Sequence, residues 1–233
     1  MDMADIIDEP ALRNKVRVFD DRFHAGELLA NKLENYRGRD DAYILAIPAG
    51  GVQVAFVVAR RLGIPLDVAV TRKLHVPWDI EVGFGALSWN GDLFINELLV
   101  SQLGLTREEV DRCISIEKEA VRKRLEKFRG ERPFPDLKGK AIIVVDDGLA
   151  SGFSMLATLA ATKRRQAKER IVAVPTGSYS AAKLVGSHAD MVICLNLRSG
   201  PFYAVADAYK LWYDLGDEDV LKLLHQLNTG QKT

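Results

Sequence analysis

The 233-residue chain is 48% hydrophobic and 27% charged, a balance that suits one globular α/β domain with a sizeable core and excludes a disordered chain. Its 32 lysines and arginines offset 32 aspartates and glutamates, so no global basic field exists to attract nucleic acid or an anionic membrane, and any anion binding has to be local. The acidic start MDMADIIDEP is unlike a signal peptide, the apolar run GVQVAFVVA stops at Arg60 and Arg61, and Cys113 and Cys194 lack metal-type spacing. A soluble, cytoplasmic protein with reduced thiols is expected.

In chain order, VFDDRFHAGELLANKLENYRG places Ala25, Leu28, Leu29, Leu33 and Tyr36 at helical spacing, with Asp20 or Asp21 as N-cap and Gly38 beyond the end. YILAIPAGG reads as a strand running into a small-residue loop, VQVAFVVARRLG as a helix closed by Gly63, and PLDVAVTRKL as the next strand. Strand, helix and strand in about thirty residues make a βαβ unit with a parallel pair. FGALSWNGDLFINELL then holds an Asn90-Gly91 turn between apolar runs, the signature of an antiparallel hairpin. TREEVDRCISIEKEAVRKRLEKF follows as a helix with a Thr106/Glu109 capping box and an apolar stripe through Val110, Ile114, Val121, Leu125 and Phe128. Residues 75–132 therefore read as a flexible loop, hairpin and helix excursion within a single domain spanning 1–233. Beyond it come the strand AIIVVDD, a helix from about Phe153 to Lys168, the strand IVAVP, a helix through YSAAKLVG and the strand MVICLNL. The expected fold is α/β: a doubly wound, mainly parallel sheet with a small antiparallel hairpin or hood, its ligand at the carboxyl ends of the strands.

Two loops carry the chemistry. Pro48-Ala49-Gly50-Gly51 and Gly148-Leu149-Ala150-Ser151-Gly152 each follow a strand and feed a helix, so their backbone N–H groups and the positive helix end can face an anion. The second loop is preceded by Asp146 and Asp147, two adjacent carboxylates that disfavour each other's ionisation unless something meets them. An N-cap role accounts for one acid but not both. Vicinal hydroxyls of a ribose, each donating to a carboxylate beside a bound phosphate, account for the pair. A Walker loop is excluded because Phe153, not lysine, precedes Ser154, and Gly83-Phe84-Gly85 lacks the third glycine of a dinucleotide fingerprint. A phosphorelay receiver carries its acid pair on the first strand, whereas this pair lies past the midpoint.

The thirteen residues IIVVDDGLASGFS resemble the phosphoribosyl-diphosphate motif of the type I phosphoribosyltransferases. VFDDRFHAGELLANKL, ILAIPAGGVQVA, PLDVAVTRKLHVPWDIEVGFGAL and AVADAYKLWYDLGDEDV extend the resemblance to the branch of that family known as predicted phosphoribosyltransferases. The resemblance implies transfer of ribose 5-phosphate from phosphoribosyl diphosphate to a nitrogenous base with release of diphosphate. It implies that Asp146 and Asp147 bind the ribose hydroxyls, that the backbone of Gly148, Leu149, Ala150, Ser151 and Gly152 with the Ser151 and Ser154 hydroxyls holds the 5-phosphate, and that Ala49, Gly50 and Gly51 carry the diphosphate. Arg72 and Lys73 would neutralise the diphosphate, and Phe202 or Tyr203 would stack on the base. Mg2+ is the implied cofactor, held mainly by substrate and water, with no protein ligand assigned. A lid over His75 to Glu81 and a homodimer are further expectations, and a nucleoside monophosphate is an alternative ligand. Trp78, Trp89, Phe202 and Trp212 are otherwise read as core or lobe packing, and His75 as an exposed loop histidine. The sequence departs from the family pattern at Ala49, where many relatives carry arginine, and at Ala150, an acid in the 6-oxopurine enzymes. A second function class is a regulator with this fold that binds phosphoribosyl diphosphate or a nucleotide without chemistry.

Overall fold

A computed structural model describes residues 4–200 and 202–230. The chain runs β1 (Ile6–Ile7), α1 (Arg22–Lys32), β2 (Ala42–Ala46), α2 (Gly50–Leu62), β3 (Leu66–Val68), β4 (Thr71–Val76), β5 (Asp79–Ser88), β6 (Leu93–Ile95), α3 (Glu97–Gln102) and α4 (Arg107–Arg129). It continues through β7 (Ala141–Val145), α5 (Phe153–Arg164), β8 (Glu169–Ser178), α6 (Tyr179–Gly186), β9 (Met191–Arg198) and α7 (Asp217–Gly230).

Six strands form a parallel sheet in the order β1-β9-β8-β7-β2-β3, and β4-β5-β6 form a separate antiparallel sheet. Successive strand residues point to opposite faces, so the apolar runs of β2 and β7 feed two cores. Ile44, Ala46, Ile143 and Val145 pack towards α1, α2, α4 and α7, while Leu45, Ile142 and Val144 pack towards α5 and α6. From β2 the chain crosses outward to β3, and from β7 it crosses the other way through β8 to β9. The carboxyl ends of β2 and β7, paired as Ala46 with Val145, therefore flank a topological switch point, where a doubly wound sheet leaves a crevice.

Local signals hold at several boundaries. Asp21 caps α1 by accepting the His24 N–H, Gly63 closes α2 in the left-handed region, and Thr106 and Glu109 form the capping box of α4. Other expectations need correction. PLDVAVTRKL is two strands: the Ala69 N–H donates to the Ala46 carbonyl as the last rung of the parallel sheet, after which β4 turns to pair with β5. Helix α5 stops at Arg164 because Gln166 takes a left-handed conformation and Lys168 N–H donates to the Lys140 carbonyl, starting β8. Tyr36 lies in a separate 3-10 turn after α1. Trp78 and Phe202 are exposed at 61% and 88%, so neither packs a core, whereas Trp89 is buried and stacks on Phe134 with ring centres 4.9 Å apart. No helix among the described residues is long and apolar enough to cross a membrane.

Candidate functional site

The crevice is built by two strand-to-helix turns from adjacent strands. Ile47 N–H donates to the Val145 carbonyl, which carries the β2–β7 ladder one residue past the strand and brings the two loops together. Residues 48–51 then enter α2 through a cis Pro48–Ala49 peptide. Gly50 and Gly51 lie directly against the aspartates: a Cβ on Gly50 would sit 1.8 Å from Asp147 Oδ2, and one on Gly51 would sit 2.8 Å from the Asp146 Cα. Only glycine admits that approach.

Asp147 is met by a residue the sequence reading did not assign. Arg22, at the start of α1 and 3% exposed, donates from Nε to Asp147 Oδ2 at 2.8 Å. Its Nη1 donates to the Tyr213 carbonyl at 2.9 Å, and its guanidinium stacks 3.8 Å from the Trp212 ring centre. Tyr209, itself buried, donates its hydroxyl to the Asp147 carbonyl at 2.6 Å. A signal for Arg22 exists in the sequence, since it falls in helical line with the buried Ala25 and Leu29. Nothing local names its partner. Asp146 accepts the Asp147 N–H at Oδ1, and burial together with the neighbouring Asp147 carboxylate raises its pKa well above the ordinary carboxylate range.

Beside the pair is a cavity of about 150 Å³ whose wall includes Lys73, Asp146, Asp147, Ser151, Ser154 and Val205. Gly152, at φ +79°, turns the loop into α5. The N–H groups of Ala150, Ser151 and Gly152 donate to no described residue, so they are open to an anion at the helix start. Leu149 corrects the expectation for this loop: its N–H is committed to the Thr176 carbonyl at 2.9 Å, zipping the loop's first half onto β8.

The remaining candidates divide. Lys73 is exposed and lines the cavity without an ion-pair partner among the described residues. Arg72, on the opposite face of β4, donates to Glu117 of α4 at 2.7 Å, away from the cavity. Gly50 and Gly51 back the aspartates, and neither they nor Ala49 line the cavity. Phe202 is exposed outside it, while Tyr203 is half-buried and donates to Thr176 Oγ1 at 3.3 Å. Burial chiefly pushes the Tyr203 hydroxyl pKa up. Val205, from the same segment, reaches the cavity wall instead. No group of three or more His, Cys, Asp or Glu side chains that could hold a metal ion occurs among the described residues.

Residues 93–209, half of the chain, match the phosphoribosyl transferase domain family. Two Mycobacterium tuberculosis proteins named as candidate phosphoribosyl transferases, MT0597 and Rv0571c, are each 34% identical over 209 residues. Those matches cover 90% of this chain and 47% of the relatives, so the chain spans about half the length of the curated relatives it matches. The crystal structure of TT1426 from Thermus thermophilus is similar with a TM-score of 0.73 and 35% identity, covering 89% of this chain and 98% of that one.

Proposed function

We propose, from the premise that this chain belongs to the phosphoribosyl transferase family, that it transfers ribose 5-phosphate from phosphoribosyl diphosphate to a nitrogenous base and releases diphosphate. The observation that carries this reading is the meeting of two anion-ready loops across one acid pair: Gly50 and Gly51 abut Asp147 and Asp146, and the open N–H groups of Ala150 to Gly152 stand beside them. In this reading the 5-phosphate rests on the Ala150–Gly152 N–H groups and the Ser151 and Ser154 hydroxyls, with the positive end of α5 beneath it. The ribose hydroxyls donate to Asp146 and Asp147. Diphosphate lies towards the first turn of α2, with Lys73 neutralising the charge that grows as the C1–oxygen bond breaks.

The donor set fits Mg2+, because the aspartates offer hard oxygen ligands without forming a protein cage. Asp146 and Asp147 would hold the ion, which would supply charge neutralisation at the leaving diphosphate. The acceptor then attacks C1 of an oxocarbenium-like ribose. The segment from His75 to Glu81, which contains the β4–β5 turn, is the lid candidate that would exclude water.

A second reading, a regulator that binds phosphoribosyl diphosphate or a nucleotide, draws on two features. Ala49 puts no cation in the diphosphate loop, and Arg72 is turned to Glu117. A screen of nucleobases and related amides for diphosphate release from phosphoribosyl diphosphate with Mg2+ separates the readings. Turnover with any acceptor supports the enzyme, and tight binding without release across the panel supports the regulator. Asp147→Asn should weaken binding by about 1–3 kcal/mol, the scale of a lost charged hydrogen bond, and wild-type affinity in that variant would reject the ribose assignment.

A further inference from the structure

We propose that Arg22 is a positioning residue for the ribose end of the site: it holds the Asp147 carboxylate by Oδ2 and so fixes the orientation in which that carboxylate meets a ligand hydroxyl. This rests on the phosphoribosyl reading above and assigns a role to a side chain outside both loops. The Arg22 hydrogen bond takes Oδ2 of a carboxylate whose residue lines the cavity. Arg22 is itself immobilised between its own helix and the segment from Tyr209 to Tyr213. It leaves α1 beside the Asp21 cap, donates to the Tyr213 carbonyl, and lies under Trp212 with Tyr209 and Tyr213 each 5.8 Å away. Tyr213 is held in turn by Gln53 of α2, whose Nε2 donates to the Tyr213 hydroxyl at 2.8 Å. Tyr209 bonds the Asp147 main chain, so the same segment braces both ends of the ion pair.

The chemistry of the fork explains why arginine stands here. The guanidinium is planar, so Nε and Nη1 donate in fixed directions to Asp147 and Tyr213 while its face stacks on indole. Lysine would keep the charge yet lose the direction and the stack. Without that constraint the Asp147 carboxylate can rotate, and ordering it falls to the incoming ribose. Gly50 completes the fit, since its missing side chain is what leaves room for Asp147 Oδ2 and Arg22 Nε together.

The test compares two ligands on the full chain by calorimetry with Mg2+: phosphoribosyl diphosphate, which carries ribose hydroxyls, and inorganic diphosphate, which carries none. Arg22→Lys should bind phosphoribosyl diphosphate about tenfold more weakly and diphosphate within about twofold of wild type, because charge is kept and only the aim of Asp147 is lost. Trp212→Leu, which leaves both members of the pair in place, should show the same split with a smaller loss and serves if Arg22→Lys does not fold. Equal losses for the two ligands would mean general loosening of the site and overturn the positioning role, as would unchanged phosphoribosyl diphosphate affinity in both variants. Failure of the wild-type chain to bind phosphoribosyl diphosphate at all would defeat the phosphoribosyl reading itself, and the inference with it.

Discussion

Replacing Gly50 by alanine tests the closeness of the two loops without touching any polar group. The added Cβ would stand 1.8 Å from Asp147 Oδ2, 2.4 Å from Asp147 Cγ and 3.1 Å from Arg22 Nε. Ordinary carbon–oxygen contact is about 3.4 Å or more, so either the carboxylate or the α2 start has to move by more than an ångström. The carboxylate cannot retreat freely, because its 2.8 Å bond to Arg22 would break. Overpacking costs about 1–3 kcal/mol and a lost charged hydrogen bond about 1.5–3 kcal/mol, while the better helix propensity of alanine returns up to about 1 kcal/mol. A net loss of about 2–4 kcal/mol is expected. Urea denaturation should give a midpoint lower by about 1 M with an unchanged slope. In an Asp147→Ala background the same substitution should cost much less, since the two closest clashing atoms are gone and only the 3.1 Å approach to Arg22 Nε remains, and the difference between the two backgrounds measures the contact with Asp147. A wild-type midpoint for Gly50→Ala in the native background would refute the reasoning, because the loop would then yield without disturbing the acid pair.

Three further outcomes follow from the site. The raised Asp146 pKa means that the folded chain binds a proton the unfolded chain has released, so this group's contribution to stability falls as pH rises from the ordinary carboxylate range through the raised value. Asp146→Asn should therefore have a higher urea midpoint than wild type at neutral pH and lose that advantage below about pH 4; a constant difference across the range would show that burial does not hold the proton. Lys73→Ala should weaken phosphoribosyl diphosphate more than a nucleoside monophosphate, whereas Arg72→Ala, already paired with Glu117, should change both by less than about twofold, as read by titration calorimetry. Ala150 offers no acid to manage a purine proton, a function worth about 10² to 10⁴ in rate, so guanine and hypoxanthine should be poor acceptors, and either one outpacing every other base in a panel would remove this specificity argument.

What the sequence determined by itself is local. Alternating apolar strands and amphipathic helices, the Asn90-Gly91 hairpin turn, the Thr106/Glu109 capping box and the Gly63 cap each depend on residues a few positions apart, and the structure keeps them. The Asp146-Asp147 pair followed by a small-residue loop is likewise a local motif, so the centre of the candidate site was legible. The rest depends on distance in space. That β2 lies beside β7, making two loops nearly a hundred residues apart into one crevice, is a choice among strand orders that periodicity does not rank. Arg72 and Lys73 look equivalent as neighbours in sequence, yet the register of β4 sends one to Glu117 and the other to the cavity. Leu149 lies in the candidate anion loop but gives its N–H to β8. The partner the acid pair demanded comes from 125 residues away and is clamped by aromatic residues nearly two hundred positions from it. A charge in a sequence states that a counter-charge is needed, but only the packed helices and the returning C-terminal segment decide which one can reach it, because pairing in a low-dielectric site requires direct contact.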